Sequence, residues 1–480
     1  MGLSKQGLAA TSIEQTKIRP IPIAVSLMIG AFIGLFSETA LNMAFTNIMT
    51  DFQIDAHAVQ WLTTGYLLVL GILVPVSALL LQWFTTRQLF NASLIFSIIG
   101  TIVAALSPNF ELLLVARVIQ AIGTGLLLPL MTNVILVIFP PHKRGSVMGL
   151  MGLVIMFAPA VGPTLSGFIV DRLGWQSIFW ISLPLLALTF VFGLVYMQNV
   201  STITKPKIDI LSIILSSIGF GGIVFGFSSA GEGAGSWGEP GVFIPIAIGA
   251  IALVLFAVRQ LRMKQPMLNL RVFKFPMFSI GVLMVFLCMM LILSTSILLP
   301  MYLKGGLLLT AFAAGLVLLP GGIINGLMSP VTGRLFDKFG PKFLVIPGFI
   351  ITTILSYLFT NVTTETPQTT IIIMHTCIFI GVAMIMMPAQ TNGLNQLPRA
   401  YYPDGSAVMN TLQQIAGTIG TAVAVSIMVA GQASYVPSAG TTNPMAEALT
   451  SGVQNAFMLA FVASIIGLIA SFFIKRVNVK

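Results

Sequence analysis

Apolar stretches of roughly 20 residues recur along the whole chain, separated by short segments that hold nearly all of the charge. A hydrocarbon core of about 30 Å is crossed by about 20 helical residues rising about 1.5 Å each, and in lipid the backbone polar groups must bond within their own segment. Each stretch therefore predicts a transmembrane helix. The pattern gives fourteen: 21–45, 59–82, 89–108, 111–138, 145–170, 176–198, 209–229, 241–262, 276–302, 309–334, 341–362, 368–396, 403–432 and 452–475. The apolar run after Arg19 has no small-residue cleavage site at its end, so it is expected to remain as the first span instead of being removed as a signal.

Composition places all of this in one membrane domain. The 480 residues are 56% hydrophobic and 8% charged, with mean hydropathy +1.00, where a soluble domain carries about 25% charged residues. Two cysteines, Cys288 and Cys377, both in apolar stretches, exclude a disulfide framework and a thiolate zinc site, and three scattered histidines offer no metal cluster. No cofactor is expected. The net charge of +10 becomes informative once its positions are known. With a cytoplasmic N-terminus, twenty of the 23 basic residues fall on the cytoplasmic side, only Arg172 and Lys304 fall outside, and Arg117 lies within a span. The positive-inside rule thus predicts a multi-pass protein of the cell membrane with both termini cytoplasmic, and the basic balance reads as orientation, not nucleic-acid binding. The longer loops, 230–240 and 432–451, are rich in Gly, Ser, Thr and Pro and are expected outside.

The spans group as six, two and six: an N-terminal bundle over 1–200, a two-helix insert over 201–262 and a C-terminal bundle over 263–480. The loop after the tenth span reads Gly333-Arg-Leu-Phe-Asp337-Lys338-Phe-Gly340-Pro-Lys342. Its counterpart after the second span, Gln82-Trp-Phe-Thr85-Thr-Arg87, has no Asp or Gly. Two six-helix bundles with related punctuation are the mark of a rocker-type secondary transporter, with substrate held near the midplane between them.

Specific segments narrow this further. Gly333, Asp337, Gly340 and Lys342 form G-x-x-x-D-x-x-G-x-K; the fourth span carries Arg117-Val-Ile-Gln120-Ala-Ile-Gly123-Thr-Gly125; the fifth carries Ala158-Pro159-Ala-Val-Gly162-Pro163-Thr-Leu-Ser166-Gly167 and runs into Trp175-Gln-Ser-Ile-Phe179. Gly405, Ser406, Asn410, Gln414, Gly417 and Gly420 mark the thirteenth span, and Glu38-Thr-Ala-Leu-Asn42 the first. In this order the segments resemble the 14-helix drug:proton antiporter branch of the major facilitator superfamily, and look most like Gram-positive lincomycin-resistance exporters. The resemblance covers nearly the whole chain and implies an all-α major facilitator fold. It has departures: the branch usually places an Asp five residues before the Asn of the first span, and here that position is Ser37, with the acid at Glu38.

Among the thirteen acids, Glu38 is the one near the middle of a span. Intramembrane acids are costly and usually functional, so Glu38 is the candidate proton carrier; the competing reading is a permanently protonated, structural Glu. Arg117 cannot shed its charge and must face water, carbonyls or an acid, with Glu38 the natural partner; the competing reading is a residue snorkelling to the interface. The resemblance ties Arg117 to proton coupling. Gly162, Pro163 and Gly167 permit close helix approach and a bend, and together with Gly333, Asp337, Gly340 and Lys342 are candidates for gating. Polar positions in apolar spans, Asn42, Asn325, Gln390, Asn392, Asn410 and Gln414, are candidates for substrate contact, with methionines such as Met384, Met386 and Met387 as adaptable walls. His375 is expected to be a satisfied interfacial histidine.

With this resemblance the chain is expected to be a monomeric, proton-coupled antiporter that exports amphipathic drugs of lincosamide, macrolide or dye type by alternating access. Its partners are small amphipathic molecules, protons and membrane lipid. No phosphate-binding Gly-Lys-Ser/Thr loop is present, so the gradient and not ATP is the expected fuel. A lipid or glycolipid flippase and a proton-coupled importer on the same fold are the alternatives. An enzyme is not expected, for want of clustered acids or histidines. With one intramembrane acid, neutral or monocationic substrates are expected over dications.

Overall fold

The computed structural model describes residues 19–54, 56–201, 203–205, 208–232, 237–264, 266–437 and 443–477. Every regular element among them is helical. The first six spans are α1 (Pro20–Ala40) continued through a 3-10 turn (Leu41–Ala44) into α2 (Phe45–Phe52), then α3 (Ala56–Trp83), α4 (Thr86–Ala105), α5 (Phe110–Ile138), α6 (Pro141–Leu173) and α7 (Gln176–Tyr196). A hairpin of α8 (Ile210–Glu232) and α9 (Pro240–Arg262) follows. The last six are α10 (Pro276–Met301), α11 (Ala311–Phe339), α12 (Lys342–Phe359), α13 (Gln368–Asn395), α14 (Tyr402–Ala433) and α15 (Pro444–Ser471). Thirteen helices among the described residues are long and apolar enough to cross a membrane. The 33-residue α6, uncharged from Gly145 to Val170, makes the fourteenth. The protein is an all-helical, multi-pass membrane protein.

Local chemistry sets the helix ends. Proline stands at the first or second position of α1, α6, α9, α10, α14 and α15, where its missing N–H costs nothing. Thr85 and Gln88 close a capping box on α4, and Asn109 accepts from Leu112 N at the start of α5. Burial then sorts the helices: 83% of the apolar window of α5 is buried against 22% for α9, so α5 is central and α9 faces lipid.

Packing has an internal repeat. α1 packs on α5, α6 and α7, α3 on α5, and α4 on α5 and α7; in the same relative places α10 packs on α13, α14 and α15, α11 on α13, and α12 on α13 and α15. The two groups meet along two seams, α6 against α11 and α3 against α14. The hairpin lies over the second seam, since α8 touches both α3 and α14 while α9 packs on α8. Phe220 and Ile223 of α8 join Ile415 of α14 in a small apolar cluster there. At one end the hairpin is held by a two-pronged Arg259–Asp209 pair, 2.7 and 2.9 Å, and the backbone of Thr204 and Lys205 just ahead of it donates to Gln82 O on α3. That end of the bundle also carries Arg87, Lys143, Arg334, Lys338, Lys342, Arg399, Lys475 and Arg476, and is called the basic face below.

Candidate functional site

Arg117 is fully buried, about 10 Å along α5 from the end opposite the basic face. A guanidinium at such depth needs its N–H groups satisfied, and neutral groups do it: Nε donates to Leu62 O at 3.3 Å, Nη1 to Ser37 O at 3.1 Å and Gln120 Oε1 at 3.0 Å, and Nη2 to Glu38 O at 3.5 Å. Its carbon lies 4.4 Å from the centre of the Tyr66 ring, a cation–π contact. The network continues outward, because Gln120 Nε2 donates to Thr101 Oγ1 at 3.0 Å and Tyr66 OH to Thr124 Oγ1 at 2.7 Å.

The expected Arg117–Glu38 ion pair is corrected by this geometry: the guanidinium meets the main-chain carbonyl of Glu38, not its carboxylate. The reason is helical phase. Ser37, where the antiporter branch places its Asp, turns toward Arg117 and adds its hydroxyl at 3.4 Å. One residue on, Glu38 is rotated about 100° around α1. The Glu38 side chain is half-buried, and its Oε2 is shielded from solvent with no hydrogen-bond partner. Directly after it, α1 tightens into the 3-10 turn Leu41–Ala44, a common form of hinge. α6 packs against this stretch so closely that a Cβ on Gly162 would collide with Thr39 Oγ1. Gly167, by contrast, faces open space, which corrects its expected role in close packing. The side chain of Pro163 lies outside the described residues; α6 runs through it as one helix.

A second polar centre sits at the basic face, on the α6–α11 seam. Both oxygens of Asp337, in the last turn of α11, accept from the start of α6: Gly145 N at 2.9 Å, Ser146 N at 2.8 Å and Ser146 Oγ at 2.5 Å. A carboxylate here also meets the positive end of the α6 dipole. The seam is backbone against backbone, because a Cβ on Gly333 would collide with Gly145 O. Gly340, at φ +81°, ends α11 in a conformation that side chains disfavour. Arg476 then covers the α11 end, Nη2 donating to Asp337 O at 2.8 Å. Lys342 is exposed at the start of α12. Next to this, Arg144 is 2% exposed and bonds Leu136 O at 2.6 Å, Phe139 O at 3.1 Å and, across the seam, Asn395 Oδ1 at 2.9 Å, with its carbon 5.1 Å from the centre of the Tyr402 ring.

The six polar candidates do not converge on one spot. Asn42 is exposed near the far end and accepts from Thr63 Oγ1 at 3.0 Å. Asn392 is committed to the segment after α15, donating to Lys475 O at 3.0 Å and accepting from Val477 N at 3.2 Å. Asn325 is buried near the middle of α11, with Oδ1 unpartnered. Gln390 and Asn410 are buried within about 15 Å of the basic face, where Asn410 Nδ2 reaches Thr132 Oγ1 of α5 at 3.4 Å, across the seam. Gln414 is half-buried one turn further along α14. Gln390 Oε1, Asn133 Oδ1 and Gln413 Nε2 also lack partners in the protein, and such buried groups are what a ligand or water would satisfy. His375 is buried against Gly321 and Phe379, with Nδ1 unpartnered, so the expectation of a satisfied interfacial histidine is corrected too.

Several residues of these centres carry no signal in one sequence. Tyr66, Thr101, Thr124, Ser146, Asn395 and Tyr402 are ordinary helix residues until packing gives them an arginine or a carboxylate as neighbour. Arg144 reads as one more loop cation by its place in the sequence.

Known proteins agree with this architecture. The chain is 66% identical to the lincomycin resistance protein LmrB of Bacillus subtilis, over 98% of this chain and 99% of that one. It is 60% identical to LmrB of Listeria monocytogenes, over 96% and 98%, and 27% identical to the multidrug export protein EmrB of Haemophilus influenzae, over 84% and 79%. Among solved structures, the human organic anion transporter MFSD10 matches the fold with TM-score 0.63 at 13% identity, covering 93% of this chain and 99% of that one. The Major Facilitator Superfamily profile matches residues 27–421, and with this helix arrangement the chain belongs to that superfamily of membrane transporters.

Proposed function

We propose that the protein exports amphipathic drugs, lincosamides first among them, in exchange for protons. The observation that carries the proton half is that Arg117 bonds the main-chain carbonyl of Glu38 and leaves its buried Oε2 without a hydrogen-bond partner. The guanidinium has its acceptors elsewhere, so the Glu38 carboxyl can gain or lose a proton without breaking the hydrogen bonds that hold α1, α3 and α5 together. The drug half rests on the lincomycin-resistance and multidrug-export relatives. Positive-inside sorting assigns the basic face and both termini to the cytoplasm. Alternating access is then a rocking of residues 1–200 against 263–480 with 201–262 carried between them. The Asp337 and Arg144 contacts close the cytoplasmic side, and Asn325, Gln390 and Asn410 face the substrate. The working unit is a monomer.

The test is proton release from acid-loaded everted vesicles on addition of a lincosamide, a macrolide or a dye. Release by wild type that is lost in Glu38→Gln is the expected result. Equal release by both would move the proton site to another residue. No release with any compound, alongside transfer of labelled lipid, would replace drug export with lipid transfer.

A further inference from the structure

The basic face holds a cavity of about 1310 Å³ between the two helix groups. Arg144 and the 137–141 segment line it from one group; Pro276, Met277, Ile280, residues 395–399, Tyr402, Phe472, Phe473 and residues 475–477 line it from the other. Its charged lining is all of one sign: Arg144, Arg399, Lys475 and Arg476, with no Asp or Glu. Arg144 and Arg476 are committed to Asn395 and to backbone carbonyls. Arg399 and Lys475 are exposed, and their side chains make no hydrogen bond or ion pair among the described residues. Gln396 gives its oxygen to Met277 N and Phe278 N, at 2.6 and 3.3 Å, and its NH₂ group has no acceptor among the described residues. The first turns of α6, α10 and α14 begin in the same lining, adding their positive ends.

Four like charges gathered around a cavity repel one another unless an anion sits among them. Oxygen-rich phosphate matches this set of donors, since guanidinium groups bind it in a fork and lysine as a point charge. The height in the membrane also fits. α15 ends at Ser471, and Phe472 and Phe473 stand exposed on the rim, so the cations lie level with the lipid headgroups while the rim meets acyl chains. We infer that this cavity binds a phosphate-bearing anion, held by Arg399, Lys475 and Gln396 from one helix group and facing Arg144 of the other. The site stands independently of what the protein transports.

Two sources supply that chemistry, an anionic phospholipid of the facing leaflet or a free phosphate, and the experiment separates them. Full-length protein is purified in detergent as wild type, as Arg399→Gln/Lys475→Gln, and as Arg262→Gln/Lys264→Gln, which removes the same charge from exposed positions outside the cavity. Binding of phosphatidylglycerol and of phosphatidylcholine is measured by native mass spectrometry, and inorganic phosphate is added as competitor. Each basic residue near an anionic headgroup is worth about a factor of five, so the cavity variant should bind phosphatidylglycerol about thirtyfold more weakly, with the outside variant close to wild type. Displacement of lipid by millimolar phosphate would make a free anion the occupant; resistance to it would make the lipid the occupant. Equal phosphatidylglycerol binding by all three proteins, equal loss in both variants, or equal binding of the neutral lipid would overturn the proposal. All four replaced side chains are exposed, and unchanged thermal unfolding of the two variants confirms that fold loss is not what is read.

Discussion

Two buried arginines are built alike and placed differently. Arg117 and Arg144 each stack on a tyrosine, at 4.4 and 5.1 Å, each donate to main-chain carbonyls, and each take one side-chain amide, Gln120 or Asn395. All partners of Arg117 come from α1, α3 and α5, which belong to one helix group. Arg144 reaches across to α13 and α14 of the other. A rocking motion therefore leaves the Arg117 network whole and has to break that of Arg144. One ties α1 to α3 and α5 within its own group; the other ties the two groups together. The loops repeat the lesson. Asp337 crosses the seam to α6, whereas Arg87, its counterpart's cation, donates to Leu194 O of its own group.

The comparison breaks first at Arg117. Arg117→Ala strands the Ser37, Leu62 and Glu38 carbonyls with Gln120, and should cost about 3 to 5 kcal/mol of stability together with all drug export. Thermal unfolding in detergent and an efflux assay read both, and loss of export without loss of stability would show that Arg117 is not structural. Arg144→Gln should behave in the opposite way. It removes a charged bond and a ring contact worth about 2 to 3 kcal/mol, and that loss falls on the balance between closed and open seams. In a background with Cys288 and Cys377 replaced by Ser, a cysteine at the buried Ser329 should then label faster from the basic face, with unfolding little changed.

Gly333→Ala tests the same seam by sterics alone, pushing on Gly145 O at a cost of about 1 to 3 kcal/mol. It should raise labelling in the same direction as Arg144→Gln, and labelling left at the wild-type rate would mean that the seam does not open there. The smallest effect is expected at Asp209→Asn, away from both arginines. The hydrogen bonds from Arg259 hold the Asp209 carboxyl down at about 2, against an ordinary 3.8. Its contribution is complete above about pH 4 and is lost as pH falls through about 2. Protection of the Thr204 and Lys205 amides, relative to the intrinsic exchange rate at each pH, should fall as pH drops through that window in wild type and show no such change in the variant.

Much of the fold was legible because lipid leaves few solutions. A chain that is 56% hydrophobic and segmented every 20 to 30 residues has to be helical, and fourteen apolar runs became fourteen long helices. The site was legible only in part. Glu38 and Arg117 stand out as charges in apolar spans, but which of Ser37 and Glu38 faces the guanidinium depends on a rotation of α1 that one residue of phase reverses. Gly167 and Gly162 look alike in the sequence, and only packing separates a glycine that touches Thr39 from one that touches nothing.

The sequence by itself determined the membrane, the helices and the clustering of basic residues at one face, since each follows from local composition and spacing summed along the chain; the superfamily was legible only through the resemblance of its motifs to known transporters. The tertiary structure decided which groups meet: that Arg117 rests on carbonyls, that Asp337 and Arg144 grip the other bundle, that Asn392 holds the chain end, and that four cations surround one cavity. Those pairings join residues up to 251 positions apart. At such separations nothing local favours one partner over another, and the choice is made by the register and rotation in which the helices pack.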